Sequence, residues 1–257
     1  MFIFTSNLAL SYLKYFKTDN MKRSFVILIA ALLSMATMAA QNGFGLEIGY
    51  ATSKNTTNSA NGKVQSPMLN GLKVGVNYGF NITKGFLFQP GVYYSYLTDK
   101  RNDKPQSNTL HLVDVMNEHF LNIPLHFMYN FRISDEVSGL YIFAGPTLIF
   151  GMASTSDISV FSGQKELADA SYNYYTQELT FGNTTIDAKT LINTYLPKGA
   201  WRQFDVSMGI GIGIEVLDHI NLKIGYDWGL MNRLNGEAAN DFTTRRNQFY
   251  ITAGLQF

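Results

Sequence analysis

The stretch "FDVSMGIGIGIEV", Phe204–Val216, contains two alternating sets of side chains. One set is entirely apolar and consists of Phe204, Val206, Met208, Ile210, Ile212, Ile214 and Val216. The other set is small or polar and consists of Asp205, Ser207, Gly209, Gly211, Gly213 and Glu215. Because successive side chains of a β-strand point to opposite faces, the stretch predicts a strand with one apolar side and one narrow, polar side.

The same alternation recurs along the chain, which predicts an all-β fold. We predict eight strands, at 44–51, 72–80, 86–97, 119–132, 140–151, 204–216, 220–231 and 248–257. No charged residue interrupts their apolar faces. This arrangement is typical of an eight-stranded, antiparallel, up-and-down β-barrel.

The apolar face points inward in a soluble, lipocalin-like barrel and outward to lipid in an outer-membrane barrel. The glycines distinguish the two. Glycine weakens a strand and offers nothing to a water-facing surface, but a narrow lumen needs small residues beside Tyr93, Phe120, Tyr141 and Phe143. Aromatic residues also gather near both strand ends, as in the interfacial girdles of membrane barrels. The sequence therefore predicts a transmembrane β-barrel.

The connections alternate strictly in length. Those at 81–85, 133–139 and 217–219 are short, whereas those at 52–70, 98–118, 152–201 and 232–246 are long and polar. Because outer-membrane barrels have short periplasmic turns and long extracellular loops, this alternation orients the barrel. Pro90, Pro124 and Pro146 fall inside predicted strands, where we expect β-bulges because proline lacks an N–H.

The N-terminal region has the layout of a secretory signal peptide. Met21 is followed by two basic residues, an apolar run and small residues that lead to Gln41. We expect residues 21–40 to be the signal peptide and residues 1–20 to be an extension upstream of the true start. Residues 41–257 then form the barrel domain, located in the bacterial outer membrane.

Composition excludes several functional classes. The 257 residues include no cysteine, which removes disulfides, thiol catalysis and zinc–thiolate sites. The formal net charge is +1 and no basic run is present, so we expect no nucleic-acid partner. The run "GIGIGIE" is not a nucleotide motif, because no helix follows it to bind a phosphate. Glu237 and Asp241 fall short of a calcium coordination shell, so we predict no metal and no cofactor.

The polar face of the barrel contains ionisable residues of both signs. They are Glu47, Lys73, His126, Asp205, Glu215, Lys223 and Asp227. The interior of an eight-stranded barrel is only wide enough for side chains to fill, and buried charges are tolerated when they are paired. We therefore predict a salt-bridge network that plugs the lumen, so that it is not a general pore. A proton relay or a small polar ligand site is the alternative.

The connection 152–201 is far longer than an ordinary loop, and such loops are usually functional or disordered. Its aromatic residues Tyr172, Tyr174, Tyr175 and Trp201 are of the types that binding surfaces favour. They predict a membrane-anchored scaffold whose loops bind an extracellular protein or glycan. A cap in which these side chains fold over the barrel mouth is an equal alternative.

An outer-membrane lipid-modifying enzyme is the rival class, because some small barrels use a histidine with a serine or carboxylate near the outer rim. His111 and His119 lie near the predicted fourth strand, with Asp114 and Glu118 close by in the sequence. No tight motif links these residues, and a solvated loop accounts for them more simply.

Two neighbouring segments read "LNIPLHFMYNF" at 121–131 and "GLYIFAGPTLIFGM" at 139–152. They resemble the PorT-like family of outer-membrane β-barrels, and the stretch 204–216 and the C-terminal strand are similar to later strands of that family. The resemblance implies an eight-stranded barrel but no single activity, and a role as the barrel component of a protein secretion system is a further alternative. The last strand, which ends at Phe257, resembles the signal that hands such proteins to the barrel assembly machinery. We expect that machinery and outer-membrane lipid as partners of a monomer.

Overall fold

The computed structural model describes residues 43–60, 62–102, 110–131, 139–163, 165–182, 184–187, 201–216, 219–235 and 238–257. The predicted signal peptide, the predicted upstream extension and Glu237 lie outside these residues. Within the described ranges, no helix has the length and apolar character needed to cross a membrane.

The described residues form twelve strands and one helical turn. In chain order they are β1 (Phe44–Ser59), β2 (Gly62–Tyr78), β3 (Phe80–Thr83), β4 (Phe86–Asn102), β5 (Leu110–Phe131), β6 (Gly139–Ser162), β7 (Lys165–Asn173), β8 (Glu178–Phe181), β9 (Thr184–Asp187), β10 (Phe204–Val216), β11 (Ile220–Gly229), α1 (Ala238–Asp241) and β12 (Thr243–Gln256).

Eight of these strands close into an antiparallel ring, which confirms the predicted fold. The hydrogen-bonded order is β10–β11–β12–β1–β2–β4–β5–β6, and β6 pairs in turn with β10. The short β3 follows β2 in the chain and also pairs with β4. Neighbours in the ring are mostly neighbours in the sequence, as in an up-and-down barrel.

The strands are longer than predicted at the extracellular end. β1 continues to Ser59, β2 begins at Gly62, and β5 begins at Leu110 rather than at residue 119. The segment 152–201, predicted as a loop, first continues β6 to Ser162 and then forms β7, β8 and β9. The apolar alternation stops there because the outward face no longer meets lipid, although the backbone ladder continues.

The expectation of β-bulges at the three prolines is wrong. The pairing register is the same on both sides of Pro90 and of Pro124, and it passes unchanged through Pro146. The β4–β5 ladder instead has a gap at 91–92, and the β5–β6 ladder has a gap at 125–126. A local gap accommodates the missing N–H without moving any side chain to the other face.

Residues 45–256 form one compact unit whose two faces differ sharply. Adjacent residues of β1 show this: Glu47 is 4 % exposed, whereas Ile48 is 56 % exposed. Apolar side chains on the other ring strands, such as Ile212 and Leu222, are likewise exposed. A barrel that turns its polar side chains inward and its apolar side chains outward suits lipid, so the transmembrane prediction is confirmed.

Gly43, Phe44 and Phe257 are linked to one another by backbone hydrogen bonds. The N–H of Gly43 donates to the carbonyl of Phe257 (2.7 Å), and the N–H of Phe257 donates to the carbonyl of Phe44 (2.8 Å). The two phenyl rings lie 6.5 Å apart. The last residue of the chain therefore has a defined backbone partner.

Candidate functional site: the barrel lumen and its mouth

Among the residues that the structure describes, eight charged side chains are buried inside the barrel, four of each sign. They are Lys73, Lys223, Arg233 and Arg246, and Glu47, Glu118, Asp205 and Asp227. Of the seven residues predicted for the lumen, six are buried and Glu215 is half-buried near the end of β10. Because isolated buried charges are strongly unfavourable, equal numbers of the two signs suit a narrow lumen.

The central cluster, which we define as Glu47, Asn77, Gln89, Lys223 and Thr252, joins five ring strands by hydrogen bonds. Lys223 Nζ lies 2.8 Å from Glu47 Oε1 and donates to Gln89 Oε1 at 3.0 Å. Asn77 Nδ2 donates to Glu47 Oε1 (2.7 Å), and Thr252 Oγ1 donates to Glu47 Oε2 (2.9 Å). Both carboxylate oxygens of Glu47 therefore have donors, as a buried ion pair needs.

Three other predicted lumen residues lie beside the central cluster. The Lys73 ammonium lies 3.6 Å from the centre of the Tyr250 ring, with Asp227 and Glu47 as its electrostatic partners. The His126 ring stacks on Phe143 at 4.8 Å. Among the described residues, His126 Nε2 and Asp227 Oδ1 have no hydrogen-bond partner. This part of the lumen thus holds its charges mainly through ring contacts and proximity.

Aromatic rings fill much of the remaining cross-section. Tyr141 and Phe143 are each 1 % exposed, and a Cβ at Gly213 or Gly211, respectively, would overlap their rings. The predicted reason for the luminal glycines is therefore confirmed for these two rings. The cavity beside the central cluster has a volume of about 10 Å³, which is roughly the space for one water molecule.

The mouth cluster, which we define as Asn55, Glu118, Ser154, Trp201 and Arg233, joins the β11–β12 connection to the barrel wall. Arg233 Nη2 lies 3.2 Å from Glu118 Oε1, and Arg233 Nη1 donates to Asn55 Oδ1 at 2.6 Å. Ser154 Oγ donates to the same Glu118 oxygen (3.4 Å). The guanidinium carbon also lies 4.1 Å from the centre of the Trp201 ring. A loop arginine is thus tied directly to β1 and β5.

The four aromatic candidates of the long connection are all half-buried. The Tyr174 ring stacks on the Trp201 ring at 4.4 Å, and the backbone carbonyl of Tyr174 accepts a hydrogen bond from the backbone N–H of Trp201 (3.1 Å). Tyr172 meets Tyr174 edge-on at 4.9 Å. Tyr175 packs against Gly151 of β6, where a Cβ would overlap its hydroxyl. The Tyr174 ring therefore contacts both Tyr172 and Trp201, and Tyr175 contacts the barrel wall.

Burial and charge shift the pKa values of this region. Burial raises the pKa of Tyr174, and the Asp114 carboxylate raises it further. Burial also raises the pKa of Tyr175, although the positive charge of Arg233 partly opposes this. For Arg233, burial lowers the pKa, but the Glu118 carboxylate raises it and the net shift is upward. The arginine therefore stays charged, and the two tyrosines stay neutral at physiological pH.

The family of the barrel follows from its sequence. Residues 39–235, more than half of the chain, match the family described as the outer membrane protein beta-barrel domain. The chain belongs to this family. The match places the protein in the bacterial outer membrane. A comparison with curated proteins found no match.

Solved outer-membrane proteins are similar to this outer-membrane barrel at low identity. Ail, the attachment invasion locus protein of Yersinia pestis, solved with the heparin analogue sucrose octasulfate, is 14% identical with a TM-score of 0.40 and covers 84% of this chain and 100% of that chain. OprG of Pseudomonas aeruginosa is 10% identical (TM-score 0.38; 84% and 96% covered). Neisserial surface protein A is 12% identical (TM-score 0.36; 82% and 97% covered).

The outer-membrane barrel does not assemble the predicted enzyme candidates within its described residues. His119 contacts Tyr94 on the outer wall (Nδ1 to OH, 2.5 Å), whereas Glu118 points inward to the mouth cluster. Asp114 accepts a hydrogen bond from a serine of β6 (2.6 Å), and His111 stacks on a phenylalanine of β6. Across the described ranges, no group of three or more His, Asp or Glu side chains could hold a metal ion.

Arg233 and Arg246 are buried in the lumen but are absent from the predicted lumen residues, as is Glu118. Both arginines lie in 232–246, which was predicted to be a loop. Arg246 Nη2 donates to Asn122 Oδ1 (3.3 Å) and to Gln248 Oε1 (3.1 Å). Charge could have revealed both arginines, because the predicted network has two lysines and four acidic residues. The predicted set therefore has two more negative than positive charges. A neutral lumen needs two further basic residues from outside that set.

Proposed function

We propose that this protein is a closed outer-membrane barrel that serves as a membrane-anchored scaffold and binds an extracellular protein or glycan. The observation that carries the proposal is that four basic and four acidic residues of the described ranges are buried in the lumen, beside a cavity of only about 10 Å³. A solute that entered would have to break buried ion pairs, and leaving one partner unpaired costs about 3–5 kcal/mol. On this proposal the barrel is an anchor and not a general pore.

In the proposed arrangement, the aromatic side chains of the long connection 152–201 also form a cap over the barrel mouth. Trp201 has internal partners in Tyr174 and Arg233, and Tyr175 packs against the barrel wall. These rings then hold the connection over the mouth, and the surface left for a partner is the extracellular sheet of β7–β9. The first five residues of β7 are exposed and include charged and apolar side chains, a mixture that suits contact with a protein or glycan.

We also propose that the chain is a PorT-like barrel. The segments 121–131 and 139–152 support this, and the family match supports membership of the outer-membrane β-barrel domain. Catalysis on lipid is not favoured, because His119 and Glu118 point to opposite faces of β5. Fold alone gives no support to a role in secretion.

Channel recording tests the closed lumen. The purified protein, folded as judged by heat-modifiable gel mobility, is inserted into planar lipid bilayers. We expect no sustained current, because the paired charges leave no continuous water path. A steady, reproducible conductance from the folded protein would contradict the plug.

Cell adhesion tests the scaffold. Cells that display the protein are applied to immobilised extracellular-matrix proteins and glycans. A variant with 165–187 replaced by a short turn should lose adhesion, whereas a variant shortened at the β1–β2 tip should keep it. Equal adhesion of the two variants, or no adhesion of the parent protein, would contradict the proposed binding sheet. Heat-modifiable mobility checks that both variants still form the barrel.

A further inference from the structure

Two basic residues lie side by side on the outer wall, where β1 and β12 approach the extracellular end. The β1–β12 ladder pairs Lys54 with Asn247 and Thr56 with Arg245. Lys54 and Arg245 are therefore diagonal neighbours, a spacing that long side chains can bridge. The register is unbroken along the whole ladder, so each side chain keeps the facing set by its strand.

That facing is outward, toward lipid. On β1 the alternate residues Ile48 and Tyr50 are exposed apolar side chains, and Lys54 follows with the same parity. On β12 the alternate residues Phe249 and Ile251 are exposed, and Arg245 shares their parity. Arg246, of the opposite parity, is buried in the lumen. The two cations therefore lie at the upper end of an apolar, lipid-facing wall.

Two neutral donors lie beside the cations. Trp228 of β11 pairs with Asn247, which pairs in turn with Lys54, so three outward side chains form a row across adjacent strands. Strands are about 4.8 Å apart, which brings the row within the span of one lipid headgroup. Asn247 Oδ1 accepts a hydrogen bond from the Gly229 N–H (3.2 Å), which leaves the amide N–H groups to donate outward. The Trp228 indole is 47 % exposed.

The described part of the protein does not neutralise the charge of this row. Among the described residues, neither Lys54 nor Arg245 takes part in an ion pair. The acidic residues of β1 and β11, Glu47 and Asp227, are buried in the lumen, and β12 has none. This part of the wall is therefore positive at the level of Trp228, and tryptophan in membrane proteins is enriched at headgroup depth.

We propose that Lys54, Arg245, Asn247 and Trp228 form a binding site for the phosphate of an anionic lipid in the outer leaflet. Arginine and lysine bind phosphate through charge-assisted hydrogen bonds, and the amide and indole N–H groups are further donors. The acyl chains of the lipid lie along the apolar wall below, past Tyr50 and Phe249. A membrane lipid is favoured over soluble phosphate because the site continues directly into that wall. The site is independent of the closed lumen and of the binding sheet.

Native mass spectrometry of the detergent-solubilised full-length protein tests the site. The probes are phosphatidylglycerol and diphosphoryl lipid A, with zwitterionic phosphatidylethanolamine as the reference. We expect preferential binding of the anionic probes to the parent protein. The double variant K54Q/R245Q should bind them roughly thirtyfold more weakly, a change of about 2 kcal/mol for two basic residues near an anionic lipid. The matched control K63Q/K165Q removes two exposed lysines from the hairpin tip and from β7, and should bind like the parent.

Each other outcome counts against the site. Equal losses in the two double variants would show a general effect of net charge. Unchanged binding in K54Q/R245Q, or equal binding of zwitterionic and anionic probes by the parent, would remove the site. Displacement of the anionic lipid by inorganic phosphate would show that the side chains recognise soluble phosphate instead. Heat-modifiable mobility confirms that each variant is folded before its binding is compared.

Discussion

The central and mouth clusters each contain a buried ion pair. In the central cluster both partners belong to ring strands, whereas in the mouth cluster one partner belongs to a connection. Lys223 and Glu47 belong to the ring strands β11 and β1, whereas Arg233 belongs to a connection and reaches Glu118 on β5. The backbone ladder of the ring holds Lys223 and Glu47 in position. Arg233 stays paired with Glu118 only while the β11–β12 connection keeps its position over the barrel. We therefore expect the central cluster to set the stability of the barrel and the mouth cluster to hold the proposed cap in position.

The largest effect is expected from Lys223→Met. This change leaves Glu47 buried without its cation, and the loss of one partner of a buried pair costs about 3–5 kcal/mol. Urea unfolding in detergent micelles, followed by heat-modifiable mobility, measures the change in the free energy of unfolding. The exposed Lys63→Met serves as the control and should change that free energy by less than about 0.5 kcal/mol. A loss no larger than that of the control would mean that the central pair does not stabilise the barrel.

The central cluster was largely predictable from sequence, and the mouth cluster was not. Glu47 and Lys223 of this cluster, and Asp227 beside it, lie inside stretches whose apolar residues alternate, so their parity alone places them in the lumen. Glu118 comes one residue before the predicted start of its strand and was considered only as an enzyme candidate. Arg233 lies in a connection, and no periodicity indicates which loop side chain folds inward. Parity predicts the facing of strand residues, whereas loop contacts depend on tertiary packing.

An intermediate effect is expected from Arg233→Ala. Glu118 loses its cation, but it lies where the cap can lift and admit water, so the free energy of unfolding should fall by only about 1–3 kcal/mol. The lifted cap should be cut by protease near Trp201 while the barrel stays intact. Limited proteolysis and urea unfolding measure the two effects separately.

The variant Arg233→Lys sharpens this test. It keeps the charge but loses the planar group that contacts Asn55, Glu118 and Trp201 together, so cleavage should fall between that of the parent and that of Arg233→Ala. If Arg233→Ala destabilised the barrel as much as Lys223→Met without exposing the cap, the two clusters would not have the separate roles assigned to them here.

The smallest effect is expected from alkaline pH. Burial raises the pKa of Tyr174 and Tyr175 above the ordinary value of 10.0, so their neutral forms stabilise the packed cap. That contribution is fully present below about pH 10, where unfolded tyrosine keeps its proton, and is lost as pH rises through the higher pKa of the packed state. Tyrosinate absorbance and proteolysis near Trp201, followed against pH, should show the cap loosening before heat-modifiable mobility changes.

Tyr174→Phe keeps a ring on Trp201 without its titrating hydroxyl, so the cap of this variant should persist to higher pH. Loss of cap and barrel at one and the same pH would instead make them a single cooperative unit, because a cap held only by side chains must open before a hydrogen-bonded ring does.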